Sequence, residues 1–259
     1  MVETISFSHP SCYANCLGDC SNKITKEHYI SENILNTFET IIPTVGFERA
    51  KKLHDGTAPA SSFSSKILCG KHNTSLSEID TEAGLLFNHL RKISKFEPCE
   101  DMFKFNGPKI ERWFLKYILG VFTTGQFSEA KLQPSRLENL VRILFNKENL
   151  WVGHGLYLKR PSDNKFYGYQ RIGSETSLGP NRELLGIYFD FHGYVFYFSL
   201  IDVIFSREDL RYRPKTINFN IDKKTKSIEF DWGDERFQNK IDLSFLGIQS
   251  GEPPTRSFK

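Results

Sequence analysis

The sequence predicts an α+β fold in two parts, on three observations. Cysteines and histidines fall in two close groups near the N-terminus: Cys12, Cys16 and Cys20, then Cys69 and His72, with a long insert between them. Two stretches after Pro98, residues 109–123 and 136–146, carry apolar residues at helical spacing. From Leu150 onward, β-favouring runs recur in pairs separated by turn residues, which reads as three successive hairpins. Residues 1–98 are therefore expected to be a small strand–insert–strand–helix domain stapled by a metal. Residues 99–259 are expected to be a helix-plus-antiparallel-sheet domain with no role legible from composition.

The bulk properties fit two domains, since 259 residues suffice for two cores. The net charge is +3, but it is unevenly placed. Residues 1–98 hold 10 Lys+Arg against 11 Asp+Glu, a net of −1; residues 99–259 hold 24 against 20, a net of +4. The opening MVETISFSHP has neither a basic start nor an apolar run, so no export signal is expected. No window approaches the roughly 18 uninterrupted apolar residues of a membrane helix. Five cysteines, an odd number, argue for reduced thiols and a cytoplasmic setting rather than a disulfide framework.

In chain order, residues 1–22 read as a loop broken by Pro10 and Gly18, and residues 23–30 as a short strand with Glu27 and His28 at its far end. Ser31 is placed as the N-cap of a helix over ENILNTFETI, where Ile34, Leu35 and Phe38 share a face. Residues 43–63 are expected to be an irregular insert, with a brief coil at ERAKKLHD. A second strand is expected over 65–69, a helix from about His72, and another helix over 81–95. Beyond Pro98 the helices over 109–123 and 136–146 precede the hairpins. The first pairs LWVGHGLYLKR with NKFYGYQRIG, the second pairs ELLGIYFDF with YVFYFSLIDVIF about His192-Gly193, and the third pairs TINFNID with KSIEFDW about Lys-Lys-Thr-Lys. The tail GEPPTRSFK is expected to be disordered.

Thiolate and imidazole ligands in two pairs are what a tetrahedral structural zinc requires. Cys69-x-x-His72 makes the second pair. Cys12, Cys16 and Cys20 compete for the first two places, so zinc takes four of these five residues. Cys20, nearest the strand, is the firmest of the three. Its partner is Cys16 in a compact loop or Cys12 in a wider one. A small strand–strand–helix unit has little core of its own, so the ion would supply folding energy.

Phosphodiester hydrolysis needs a base for the attacking water and a positive charge against the phosphate. A histidine can take the proton, and a hard divalent cation on oxygen ligands can supply the charge. His28 is the candidate base, Glu27 offers a carboxylate, and Asn73 offers a carboxamide oxygen from the first turn of a helix. Over residues 12–90, the strings CLGDCSNKITKEHYIS and KILCGKHNTSLSEID resemble the HNH, or ββα-metal, endonuclease family.

That resemblance implies a zinc-stapled ββα-metal unit. It further implies magnesium or manganese held by Glu27 and Asn73, His28 as general base, and DNA as substrate with RNA open. It implies a setting such as restriction or phage defence. The family's middle Asn falls on Ser64, a departure that Ser62 or Ser65 could also fill weakly. The alternative is a zinc module with a decayed site that binds nucleic acid or a protein partner.

Other residues read more plainly. Lys26, Lys66 and Lys71 are candidate phosphate contacts or solvated surface. His54, His89, His154 and His192 read as structural, and Cys99 as a free buried thiol. Seven basic residues lie between Arg207 and Lys226 against Glu208, Asp209 and Asp222, which reads as a solvated edge strand or, second, a nucleic-acid-tracking edge. The period-two pattern puts Ile187, Phe189 and Phe191 on one sheet face and Tyr188, Asp190 and His192 on the other.

Overall fold

The computed structural model describes residues 7–38, 41–47, 53, 55–161, 164–202, 209–221 and 223–248. The coil expected at 48–55 falls almost wholly outside these residues. His54, Arg207, Glu208, Asp222 and the tail over 251–259 also lie outside them.

The chain is α+β, and its described residues form one two-stranded and two mixed sheets. β1 (Ile24–His28) and β4 (Ser64–Cys69) pair antiparallel, and α2 (Gly70–Ser75) follows β4 without a break. This is the strand–strand–helix order expected at 23–30, 65–69 and His72. The insert is not irregular: β2 (Ile41–Val45) and β3 (Gly56–Pro59) form an antiparallel pair, and a 3-10 turn (Ala60–Phe63) leads into β4. Alternation explains β2, since Ile42 and Thr44 face inward while Ile41 and Pro43 face solvent. Ser31 does precede a helix, but α1 (Glu32–Leu35) is a single turn.

α3 (Ser77–Ser94) buries Ile79, Ala83, Leu86, Phe87, Leu90 and Ile93, an i, i+3/i+4 stripe, against α4 (Gly107–Thr123). α4 begins where the Asn106 side chain accepts from the Lys109 N–H and Pro108 occupies the first turn. It is apolar on nearly every face, and a helix of that kind is buried. It packs on β5 (Met102–Asn106) and β13 (Lys224–Asp231) as well as on β6 (Gly155–Lys159) and β10 (Tyr194–Ser199). α5 (Pro134–Leu144) lies against α4 and the cysteine loop.

The C-terminal sheets are mixed, not antiparallel as expected. The seven-stranded sheet runs β11-β6-β10-β9-β8-β2-β3, with β8 (Ile172–Leu178), β9 (Leu184–Phe191) and β11 (Leu210–Tyr212). The five-stranded sheet runs β5-β13-β12-β14-β7, with β7 (Lys165–Gly168), β12 (Thr216–Ile221) and β14 (Lys240–Ile248). Three of its pairings are parallel.

The hairpin about His192-Gly193 forms, with both residues at positive φ as a two-residue turn demands. The hairpin of β12 and β13 forms too, but its turn takes only Lys223 (φ 69°) of Lys-Lys-Thr-Lys, since Lys224 already pairs with Ile221. The first expected hairpin does not form: β6 pairs with β10 and β11, while β7 joins β14 in the other sheet. Period-two pattern identifies strands without naming their partners, and Pro161-Ser162-Asp163 carries no two-residue turn signature.

The junction expected after Pro98 is crossed at several places. β2 pairs in parallel with β8. One hydrophobic cluster takes Leu68, Leu86 and Phe87 from one side and Trp113, Phe189 and Phe196 from the other. Phe87 alone meets the rings of Trp113 at 5.0 Å and Phe191 at 4.6 Å. No helix among the described residues is long and apolar enough to cross a membrane.

Candidate functional site

Four of the five predicted metal ligands converge. Cys12, Cys20, Cys69 and His72 are all buried, and their ligand atoms lie within 4.8 Å of one another. His72 Nδ1 is 3.2 Å from Cys69 Sγ, 3.5 Å from Cys12 Sγ and 3.8 Å from Cys20 Sγ. Around a tetrahedral zinc with bonds of about 2.3 Å to sulfur and 2.0 Å to nitrogen, that separation is about 3.5 Å. The group can hold a metal such as zinc.

Local backbone geometry decides which cysteines belong. A 3-10 turn (Asn15–Leu17) and Gly18 in the left-handed region (φ 72°) reverse the loop. Phe7 N–H then donates to Gly18 O, and Cys20 N–H donates back to Phe7 O. This returns Cys20 to the side of Cys12. Cys16, riding on the 3-10 turn, faces the charges of Glu138 and Arg142 on α5 and stays outside the group. The wider Cys12–Cys20 loop is the one formed.

The surroundings favour ligation. Asp19 Oδ1 lies 2.9 Å from His72 Nε2. A carboxylate only accepts, so Nε2 carries the proton and the Nδ1 lone pair is left facing the sulfurs. Burial holds the His72 imidazole below its usual pKa, against the pull of Asp19, which keeps it neutral as a ligand must be. Ser21 N–H donates to Cys69 Sγ and Cys69 N–H to Cys12 Sγ. Burial pushes the Cys12 thiol up to about 12. At Cys69 burial also pushes upward, but N–H donation from His72 and Ser21 brings the thiol below its ordinary value.

The residues predicted for catalysis lie on β1 and α2, with His28 at the end of β1 away from Cys69, and are treated differently by the fold. His28 ends β1, half-buried, directly across from Ser64 in the β1–β4 register. Burial lowers its pKa, with Glu32 opposing, so the imidazole is neutral near pH 7. Asn73 Nδ2 donates to Thr25 Oγ1 at 3.0 Å and to Lys26 O at 3.3 Å, which ties α2 to β1. Glu27 turns inward, 3% exposed, with Oε1 2.5 Å from Lys116 Nζ. Burial raises its carboxyl to about 7 in spite of Lys116. As folded, Glu27 is closed to a hydrated divalent cation, because an ammonium already covers it.

Sequence reasoning missed Lys116, Asp80, Asp19 and Gly120 here. Lys116 Nζ also meets Asp80 Oδ1 at 2.6 Å. Ser31 Oγ donates to that same oxygen at 2.5 Å and accepts from Trp113 Nε1 at 2.7 Å. Asp19 supports His72. Gly120, one turn after Lys116, seats Tyr29, since a Cβ there would lie 2.3 Å from Tyr29 Cβ. One signal was present: Lys116 interrupts the run Trp113-Phe114-Leu115-x-Tyr117-Ile118-Leu119, where a lysine has no reason to be unless something anionic awaits it.

The remaining candidates are absorbed by the fold. Lys71 pairs with Asp19 at 2.6 Å, while Lys26 and Lys66 are exposed and directly paired across the strands. His192 is buried with Nδ1 3.0 Å from Tyr169 O, His89 is buried, and His154 is half-buried in its loop. Cys99 is half-buried with a free thiol. Within the basic run, Arg213 makes a paired contact with buried Glu111 (2.8 Å to each oxygen), and Lys226 meets Asp101 and the Cys99 carbonyl. Neither β12 nor β13 is an edge strand. Internal pairing therefore replaces the solvated-edge reading for Lys226 on β13, while Arg211 lies on β11, an edge strand of its sheet.

No family model matches the chain, and comparison with curated proteins and with solved structures found no match.

Proposed function

We propose that β1, β4 and α2 form a ββα-metal nuclease unit, held by a structural zinc on Cys12, Cys20, Cys69 and His72, that hydrolyses phosphodiester bonds in DNA. The observation that carries this reading is the register that sets His28 opposite Ser64 while Asn73 bonds the same strand. In this reading Ser64, across from His28, would orient the base. Neutral His28 takes the proton of the attacking water, an effect that general bases contribute at about 10²- to 10⁴-fold. Lys26 and Lys66, exposed and adjacent, draw the phosphate backbone to this face. Glu27 and Asn73 would hold magnesium or manganese, which supplies charge neutralisation at the phosphate and leaving oxygen. Glu27 does so only by parting from Lys116. Defence against invading DNA, as in restriction, is the setting that suits such a unit.

A second reading is favoured by that same contact. With Glu27 committed to Lys116 and a serine at the middle position, the unit is a zinc module that binds nucleic acid or a protein partner without cutting. Nicking of supercoiled plasmid in magnesium or manganese separates the two. The nuclease reading expects cleavage by the wild type and a loss of at least 100-fold in His28→Ala. Zinc-loaded wild type that never cuts, with His28→Ala binding DNA equally well, establishes the second.

A further inference from the structure

Lysine 116 lies in the middle of the most buried helix of the fold and is 1% exposed. A buried ammonium is costly unless paired, and this one touches two carboxylates, Glu27 Oε1 at 2.5 Å and Asp80 Oδ1 at 2.6 Å. The carboxylates come from β1 and α3 and the ammonium from α4, so three elements converge on one point. Two carboxyl groups share one ammonium there, so the point is short of positive charge whenever Glu27 is ionised. Close by, the Tyr13 hydroxyl is buried with no hydrogen-bond partner and feels the charges of both Glu27 and Asp80. Oxygen ligands from carboxylates and a hydroxyl are what magnesium and manganese prefer, at about 2.0–2.1 Å for magnesium. The two carboxylate oxygens stand 2.5 and 2.6 Å from Nζ, about half an ångström farther out than magnesium holds its ligands.

We propose that Glu27 and Asp80 form a cation seat whose occupant in the resting chain is the Lys116 ammonium, and that a divalent cation takes the seat only once this ammonium has left it or been removed. The proposal deepens the nuclease reading and rests on it for the use of the seat, not for its existence. It adds Asp80 to the ligand set and makes α4, from the second half of the chain, the element that controls access. Gly120 matters to the same end, because it lets α4 approach Tyr29 closely enough for Lys116 to reach Glu27.

Manganese binding to the full zinc-loaded chain tests it, read by electron paramagnetic resonance titration and by melting temperature. In the resting wild type, without DNA, the ammonium is expected to exclude manganese from Glu27, so that manganese uptake and the manganese-induced change in melting temperature match those of Glu27→Gln. Lys116→Met keeps the stem and removes the charge; it is expected to bind one manganese per chain at least tenfold more tightly than wild type. Its melting temperature should rise with manganese, and adding Glu27→Gln or Asp80→Asn should abolish both effects. Folded Lys116→Met that gains no manganese overturns the proposal. Should that variant fail to fold, the wild type decides: manganese uptake that Glu27→Gln abolishes overturns it, and the same lack of uptake in both supports it. Absence of DNA cleavage with manganese binding gained by Lys116→Met would sink only the nuclease reading.

Discussion

The Nε2 of His72 and the Oδ1 of Asp19 lie 2.9 Å apart, and this contact fixes which ring nitrogen faces the three sulfurs. Asp19 is itself held by Lys71 at 2.6 Å, and this pairing brings its carboxyl below the ordinary range. Removing such a support typically weakens a metal site by about 10- to 100-fold. Asp19→Ala is therefore expected to lose zinc to a competing chelator at correspondingly lower chelator concentration, with one zinc per chain still bound when zinc is in excess. Equal retention by variant and wild type would show that the imidazole needs no orienting partner.

The division among the cysteines makes a second expectation. Cys20→Ser removes one of the four groups proposed to hold zinc, so the metal content of the purified chain should fall and its melting temperature with it. Cys16→Ser touches only the face toward α5, and should keep both within error. Chelation of the wild type should lower its melting temperature toward that of Cys20→Ser, because structural zinc contributes folding free energy directly. Zinc lost from Cys16→Ser and kept by Cys20→Ser would reverse the assignment.

Lys26 and Lys66 face each other directly across β1 and β4 on the exposed side. Like charges so placed are destabilising, by an amount on the order of tenths of a kcal/mol. Lys26→Ala is expected to leave the chain as stable or slightly more stable while weakening DNA binding. The slope of log affinity against log salt should fall by about one for each lysine removed. A salt slope unchanged in the double alanine variant would place the DNA contact elsewhere.

Legibility of the sequence followed the range of the interactions involved. Cys69-x-x-His72, the short strands flanking the insert and the helices of α3, α4 and α5 depend on local spacing, and all lie close to where the pattern puts them. The choice of Cys12 over Cys16 depends on Gly18 adopting φ 72° and on Phe7 bonding back across the loop, which spacing alone does not encode. β7 was legible as a strand but not as a partner of β14, about 80 residues later, because an alternating strand fits any sheet that buries one of its faces. Lys116 was the clearest signal passed over: a charge inside an apolar helix announces a buried partner, though not which one.

Glu111 on α4 and Arg213, just after β11, form a two-point contact at 2.8 Å and 2.8 Å, with Glu111 also accepting from the Leu156 N–H at 2.9 Å. Arg213 sits within reach of the Tyr212, Trp232 and Phe237 rings, 5.0–5.6 Å from each centroid. Breaking a buried pair by removing one member costs about 3–5 kcal/mol, since the other charge is stranded. Glu111→Gln keeps the acceptor for Leu156 and should cost less than Arg213→Ala, which also empties the aromatic surround. Urea unfolding of both variants checks the order, and a cost under about 1 kcal/mol for Arg213→Ala would reduce the pair to a surface contact.

His192 carries the clearest pH dependence in the fold. Its Nδ1–H donates to Tyr169 O at 3.0 Å, its ring stacks on Phe38 at 4.7 Å, and its Nε2 is buried without a partner. Protonating Nε2 would bury a positive charge near Arg91 on α3 and Lys95 at its C-terminal end, with only the Tyr169 carbonyl to favour it. Burial, the largest effect, thus holds the imidazole down to about 4. An unfolded histidine titrates near 6.5, so between those values the unfolded chain binds a proton that the folded chain refuses. Stability from this group is therefore complete above about pH 6.5 and is lost as pH falls toward 4, by about 3 kcal/mol in all. His28, His72 and His89 are shifted downward as well, so the loss must be isolated by difference. His192→Asn suits this purpose, because asparagine tolerates the positive φ of 53° and can still donate to Tyr169 O. The unfolding free energy of wild type minus variant, from urea titrations at pH 7, 5.5 and 4, should decline across the series. A difference that stays level would mean that the ring finds a proton acceptor or water once charged, and that its burial is not what sets its titration.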